Sequence, residues 1–240
     1  MIIKKIMNFK NYDILSNLIL GYILLVALLP IFNLAFELES SVAYLAIAYV
    51  IGYMVNAIGS WIEGFYYCTI GGKPSDIYLT PVNNQKKNKG HSKIKFYHSE
   101  EVVRMLKEEL KEDSPSTGKM FSTAMQYSNS DNSTRVPDFN AQYAFSRSLL
   151  TTMIILSLIV LIQYGCELIS SWFILVPLFI SWYRYKDRAY YYAREVLLVY
   201  LHKKKQADRA TNLCSESRGC SSFCHIFTGD TSNLMPLFFI

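Results

Sequence analysis

The sequence predicts an all-α integral membrane protein: four transmembrane helices arranged as two hairpins, with a small helical cytosolic domain. Two observations carry that prediction. Four apolar stretches, Ile14–Phe36, Val42–Ile62, Leu149–Cys166 and Leu168–Tyr185, interrupt a chain of 240 residues, and all 24 Lys and Arg fall on one side of them. A bilayer core takes about 20 apolar residues at ~1.5 Å rise each. The first two stretches meet that length, and the last two, at about 18, suit a thin membrane. The turns Phe36–Ser41 and Gly165–Glu167 hold no base, whereas the leader (Lys4, Lys5, Lys10), the middle region and everything after Tyr183 do. By the positive-inside rule both termini and the middle region are cytoplasmic.

The leader, residues 1–13, ends in Asn11-Tyr12-Asp13, and Asp13 is placed to cap the first span by accepting from its free N–H groups. A basic leader also suits a signal peptide, but this apolar stretch is too long and no small-residue cleavage site precedes Glu37. A retained anchor is expected, with Pro30 kinking it. The first hairpin covers residues 14–62. Its second span carries Gly52, Asn56, Ala57, Gly59 and Ser60. Small residues and an amide at this spacing either glue neighbouring helices together or line a narrow pore in an oligomer.

The cytosolic region, residues 63–146, opens with the turn Gly71-Gly72-Lys73-Pro74-Ser75, a truncated phosphate loop spoiled by Pro74 and a missing upstream Gly. The Asn-rich stretch from Asn83 to Lys95 follows, with Lys86 and Lys87 at its head. It suits contact with phosphates, using Phe96 and Tyr97 for stacking, or a loop facing an anionic leaflet. Ser99–Lys111 reads as an amphipathic helix: Ser99 caps it, Glu100 and Glu101 fill its first turn, and Val102, Val103, Leu106 and Leu110 form the stripe. A short helix is expected over Met120–Tyr127, and Asp138–Ser148 begins a helix that enters the third span. The second hairpin, residues 147–185, continues without a breaker into a helical extension over 186–205. Residues 206–240 form a Ser- and Cys-rich tail.

The net charge of +5 points to acidic partners or, more simply, to the basic cytoplasmic flanks of a membrane protein. Five cysteines do not make a disulfide framework when four lie on the reducing side. Cys214, Cys220, Cys224 and His225 have the donors for zinc but no CxxC spacing, and lipidated or reduced thiols fit better. No metal or cofactor is expected. No nucleotide-binding, metalloprotease or serine-hydrolase pattern occurs, and His98 and His202 lack a companion nucleophile, so an enzyme acting on lipid is disfavoured. Polar groups within spans are costly, which makes each a functional candidate. Glu63, where the second span meets the cytosol, forms either a cation-concentrating ring in an oligomer or an ion pair with Arg147 or Arg184. Arg147, Arg184, Arg188 and Arg194, on helices near the membrane face, are the candidate anion site, with Lys86 and Lys87 as looser contacts.

Several segments resemble a known group. These are Asp13-Ile14-Leu15-Ser16-Asn17-Leu18-Ile19-Leu20-Gly21, Ile58-Gly59-Ser60-Trp61-Ile62-Glu63, Gly71-Gly72-Lys73-Pro74-Ser75, Tyr143-Ala144-Phe145-Ser146-Arg147 and Tyr190-Tyr191-Tyr192-Ala193-Arg194-Glu195-Val196. They are similar to small four-span bacterial membrane proteins of phage defence, the nearest named type being the Hailong membrane channel effector. The resemblance covers about residues 8–202 and leaves the tail outside. It implies a homo-oligomer, with a tetramer favoured, in the bacterial inner membrane. It also implies a nucleotidyltransferase partner whose oligonucleotide product holds the channel inactive until infection. No site residue is carried over from it.

The expected function is an oligomeric pore-forming or ion-channel effector in antiviral defence, acting by depolarisation in abortive infection. Its gate is a cytosolic anionic nucleotide or oligonucleotide, or a partner protein. The alternative is a non-channel anchor or scaffold that recruits a soluble partner through the Ser99–Lys111 helix.

Overall fold

A computed structural model of the protein describes residues 2–32, 41–80, 94, 96–129, 134–164 and 168–216. The chain divides into two units, Met1–Tyr200 and Leu201–Ile240, and the contacts below belong to the first. Among the described residues the structure is all-helical, without strands: α1 (Ile2–Leu28), α2 (Ser41–Trp61), α3 (Glu63–Ile70), α4 (Pro74–Leu79), α5 (Ser99–Leu110), α6 (Thr117–Asn129), α7 (Val136–Tyr164) and α8 (Leu168–Glu216).

The leader and the first apolar stretch form one helix. Residues 2–13 contain neither Gly nor Pro, so nothing interrupts them, and Asp13 lies inside α1 rather than capping it. Pro30 ends this helix instead of kinking it. The residue before a proline is pushed out of the α region, and Leu29–Phe32 form a turn held by Ile31 N–H on the Leu28 carbonyl at 3.0 Å. The apolar helical part of α1 is therefore Ile14–Leu28, shorter than expected. Residues 33–40, including most of the Phe36–Ser41 turn, lie outside the described residues, as do Gly165–Glu167.

Small residues bring α1 and α2 into backbone contact. A Cβ on Gly21 would sit 1.7 Å from the Ala48 carbonyl oxygen, and one on Gly52 1.8 Å from that of Asn17. Leu20, Leu24, Ala48 and Val55 close the same seam. Close approach of this kind replaces the hydrophobic drive that is missing between helices in lipid. One heptad along α2, Gly59 admits α7, where a Cβ would meet Thr151 Oγ1 at 2.7 Å. The small-residue stripe of α2 is thus occupied inside one chain.

Two helices, Ser41–Trp61 and Val136–Gln163, are long and apolar enough to cross a membrane. Only 22% and 28% of their most apolar windows are buried, whereas the core helix of a soluble protein buries most of its apolar face. Val42, Tyr53, Ile162 and, on α8, Phe173 and Phe179 are all exposed.

The polar helices form a cap around the middle of α8. Gly71 and Gly72 take left-handed φ of 92° and 114°, which glycine adopts without strain. Pro74 then starts α4, where its missing N–H costs nothing. Helix α5 is amphipathic as expected, with Val102 and Leu106 fully buried against α4 and α6. Ser99 does not cap it; His98 holds the N-cap position, and the Ser99 hydroxyl donates to the Tyr78 carbonyl, tying α5 to α4. Helix α6 supplies Ser128, whose hydroxyl donates to the Val196 carbonyl at 2.9 Å. Along α8 the buried set Tyr185, Ala189, Ala193, Val196 and Tyr200 keeps the spacing of one helical face.

Both long helices run from apolar into polar sequence without a break. Helix α7 begins eleven residues before Arg147, and α8 spans 49 residues with Pro177 inside it. Its last part, residues 206–216, is helical where a tail was expected. That stretch also lacks Gly and Pro.

Candidate functional site

Where α2 ends, the chain turns through Ile62 and restarts as α3, which puts Glu63 in the first turn of a helix facing α7. Three donors converge on its carboxylate. Arg147 Nη1 of α7 lies 3.0 Å from Oε2, an ion pair with side chains only 14% and 23% exposed. The Tyr67 hydroxyl donates to Oε1 at 2.5 Å, and the Tyr143 hydroxyl donates to the same oxygen. An ionised carboxylate is acceptor-only and takes all three. The two tyrosine oxygens lie 2.8 Å apart; each has one hydrogen, and both are turned to Glu63. Burial raises the Tyr67 hydroxyl well above its usual range, and the hydrogen bond to Glu63 adds to the effect, so this phenol stays protonated. Tyr192, stacked flat on Tyr143 with centroids 5.7 Å apart, is raised by burial and by the Glu63 charge.

The second half of the site extends into the apolar helices. Arg147 Nη2 donates to Asn56 Oδ1 at 3.2 Å, and Ser148 Oγ donates to the same oxygen at 3.0 Å. Ser60 donates to the Asn56 carbonyl at 3.0 Å. The Thr151 hydroxyl donates to the Arg147 carbonyl at 2.9 Å, so the Tyr66 hydroxyl, 3.0 Å away, must be the donor in the Tyr66–Thr151 pair. Tyr143 also faces Tyr185 of α8, with ring centroids 5.7 Å apart. Trp182 of α8 donates to the Thr69 hydroxyl of α3 at 3.0 Å. One polar network therefore joins α2, α3, α7 and α8 where the apolar helices meet the polar cap.

The expected site residues separate accordingly. Gly52 lies on the α1–α2 seam, while Asn56, Glu63 and Arg147 belong to one cluster; Ser60 is exposed and donates back to the Asn56 carbonyl of its own helix. Of the two readings of Glu63, the geometry within the chain is the ion pair with Arg147. The four arginines make different contacts. Arg147 is held by a carboxylate and an amide, Arg188 donates to Gln142 Oε1, and Arg194 lies over the Tyr191 ring at 5.5 Å. Arg184 is exposed. Lys86, Lys87 and the tail cysteines Cys220 and Cys224 with His225 lie outside the described residues, and Cys214 is placed by its helical backbone alone. Among the described residues no three His, Cys, Asp or Glu group to hold a metal.

Tyr66, Tyr67, Tyr143 and Tyr185 were not singled out from sequence. A hydroxyl-bearing aromatic just beyond an apolar run reads as an interfacial anchor, and only the fold turns these inward. No family model, curated protein or solved structure matches the chain.

Proposed function

We propose that this chain is a four-span protein of the bacterial inner membrane, with both termini cytoplasmic, that works as an oligomeric ion-conducting effector controlled from its cytosolic side. The observation that carries the reading is the clasp of Arg147, Tyr67 and Tyr143 on Glu63. It ties the cytosolic end of α2 to α7 at the depth where both become apolar. A cytosolic event that moves α3 or the polar part of α8 would act on this clasp, because α7 and α8 each continue as one helix into the apolar stretches. Four spans cannot enclose a channel alone, so the pore forms about a cyclic axis between copies. A tetramer follows the resemblance described above.

The gating ligand is an anionic nucleotide or oligonucleotide, or the nucleotidyltransferase that makes it, and opening depolarises an infected cell. Arg184, exposed and one residue before Tyr185, whose ring faces Tyr143 of the clasp, is the cation through which we propose that ligand is met. Arg147 acts through Glu63 rather than by touching it. The scaffold alternative has less support, since the stripe of α5 that would recruit a partner is buried at Val102 and Leu106.

The test is membrane potential and dye permeability in cells expressing the chain alone, then with its flanking genes. Depolarisation by the chain, suppressed by a neighbouring gene product, is expected. Intact membranes under both conditions and during infection would overturn the proposal.

A further inference from the structure

Beside Asn56 and Ser148 of the Arg147 network, α1, α2 and α7 line a half-open pocket of about 440 Å³. That volume falls in the range of small-molecule sites, which commonly lie between helices of bundles. Its polar lining includes Asn17, Tyr49, Tyr53, Asn56, Asn140 and Ser148. Ile14, Ala144 and Phe145 supply apolar walls. None of the lining side chains carries a charge at neutral pH. The Arg147 guanidinium, beside lining residue Ser148 in sequence, is committed to Glu63 and to Asn56 Oδ1.

We propose that this pocket binds an uncharged glycerolipid of the diacylglycerol type, drawn from the inner leaflet. The occupant follows from the chemistry of the walls. Amides and hydroxyls complement ester carbonyls and a free glycerol hydroxyl, and none of the described lining residues is a cation that would select a phosphate headgroup. The opening is continuous with apolar surface, because Ile14, Tyr49 and Tyr53 are all exposed. Its α1 and α7 residues lie where those helices pass from polar to apolar sequence, and Tyr49 and Tyr53 extend the lining along α2 toward the acyl region. Asn56 and Ser148 belong both to the pocket and to the Arg147 network, so an occupant that recruits Asn56 acts directly on the clasp. The inference rests on the membrane reading above but not on conduction.

The experiment reconstitutes the full chain in phosphatidylcholine vesicles containing a photoactivatable diacylglycerol and maps adducts by mass spectrometry. Adducts are expected on peptides bearing Tyr49, Tyr53 and Asn140, competed by unlabelled diacylglycerol. Ala144→Trp, which fills the pocket, should cut them about tenfold. Val50→Trp, on an exposed position outside it, should leave them unchanged. Adducts spread evenly over exposed positions such as Ile162 and Phe173, or uncompeted by diacylglycerol, would overturn the site while leaving the membrane reading intact. Disulfide-linked dimers of Tyr53→Cys would give the pocket to a second copy and also overturn it. No adducts anywhere would remove the membrane reading together with the pocket.

Discussion

At the scale of single residues, Glu63 and Arg147 are each half of a mostly desolvated pair, so removing one strands the other. Glu63→Gln keeps the shape but leaves the guanidinium without its counter-charge, at a cost of about 3 kcal/mol. Adding Arg147→Met should recover most of that loss, because no buried charge is left. Thermal unfolding in detergent of the two single variants and the double variant measures the coupling, and strictly additive losses would dissolve the pair as a unit. The pairing was legible from sequence as one of two readings, since topology alone puts both residues at one depth. What topology does not contain is the inward turn of Tyr67 and Tyr143. That turn depends on α3 restarting after Ile62, a break made without Gly or Pro at that position.

At the scale of elements, the α1–α2 seam depends on two glycines that carry no polar chemistry. The Gly52 Cβ position is filled by the Asn17 backbone, which cannot rotate aside as a side chain can. Gly52→Ala should therefore separate the helices and destabilise the chain by about 1–3 kcal/mol, the range for overpacking. Gly64→Ala, with open space around its Cβ position, is the matched control and should be neutral or slightly stabilising. Equal melting of the two variants would remove the seam from the account. Elements with a strong local signal were legible: the α5 stripe, the run of α7 into the third apolar stretch, and the extension beyond Tyr185 all follow periodicity and the absence of breakers. The misread positions share a cause. Asp13 and Ser99 are good capping residues by type, but a cap also requires a helix to begin there. Upstream helical sequence absorbed Asp13, and the Tyr78 carbonyl drew the Ser99 hydroxyl away from its own helix.

At the scale of the molecule, the organisation is a set of exposed apolar helices joined through one buried polar clasp to a cap of short helices around α8. Composition and charge placement predicted the all-helical class and the division into apolar and polar parts. They did not separate helix packing from pore lining on α2, because both use small residues and an amide. The fold assigns Gly52, Asn56 and Gly59 to contacts within one chain. On the proposed reading, a conducting path between copies would be lined by other surfaces, and the clasp would act as a control element rather than a pore wall.

The measurement that tests this most directly is ion flux through the purified full chain in sealed vesicles, comparing wild type with Glu63→Gln after insertion of both has been verified. The account predicts flux above protein-free vesicles and a change in open probability in Glu63→Gln, with unitary conductance and ion selectivity unchanged. Absence of flux in both proteins would contradict conduction, and altered selectivity with unchanged gating would return Glu63 to the pore wall.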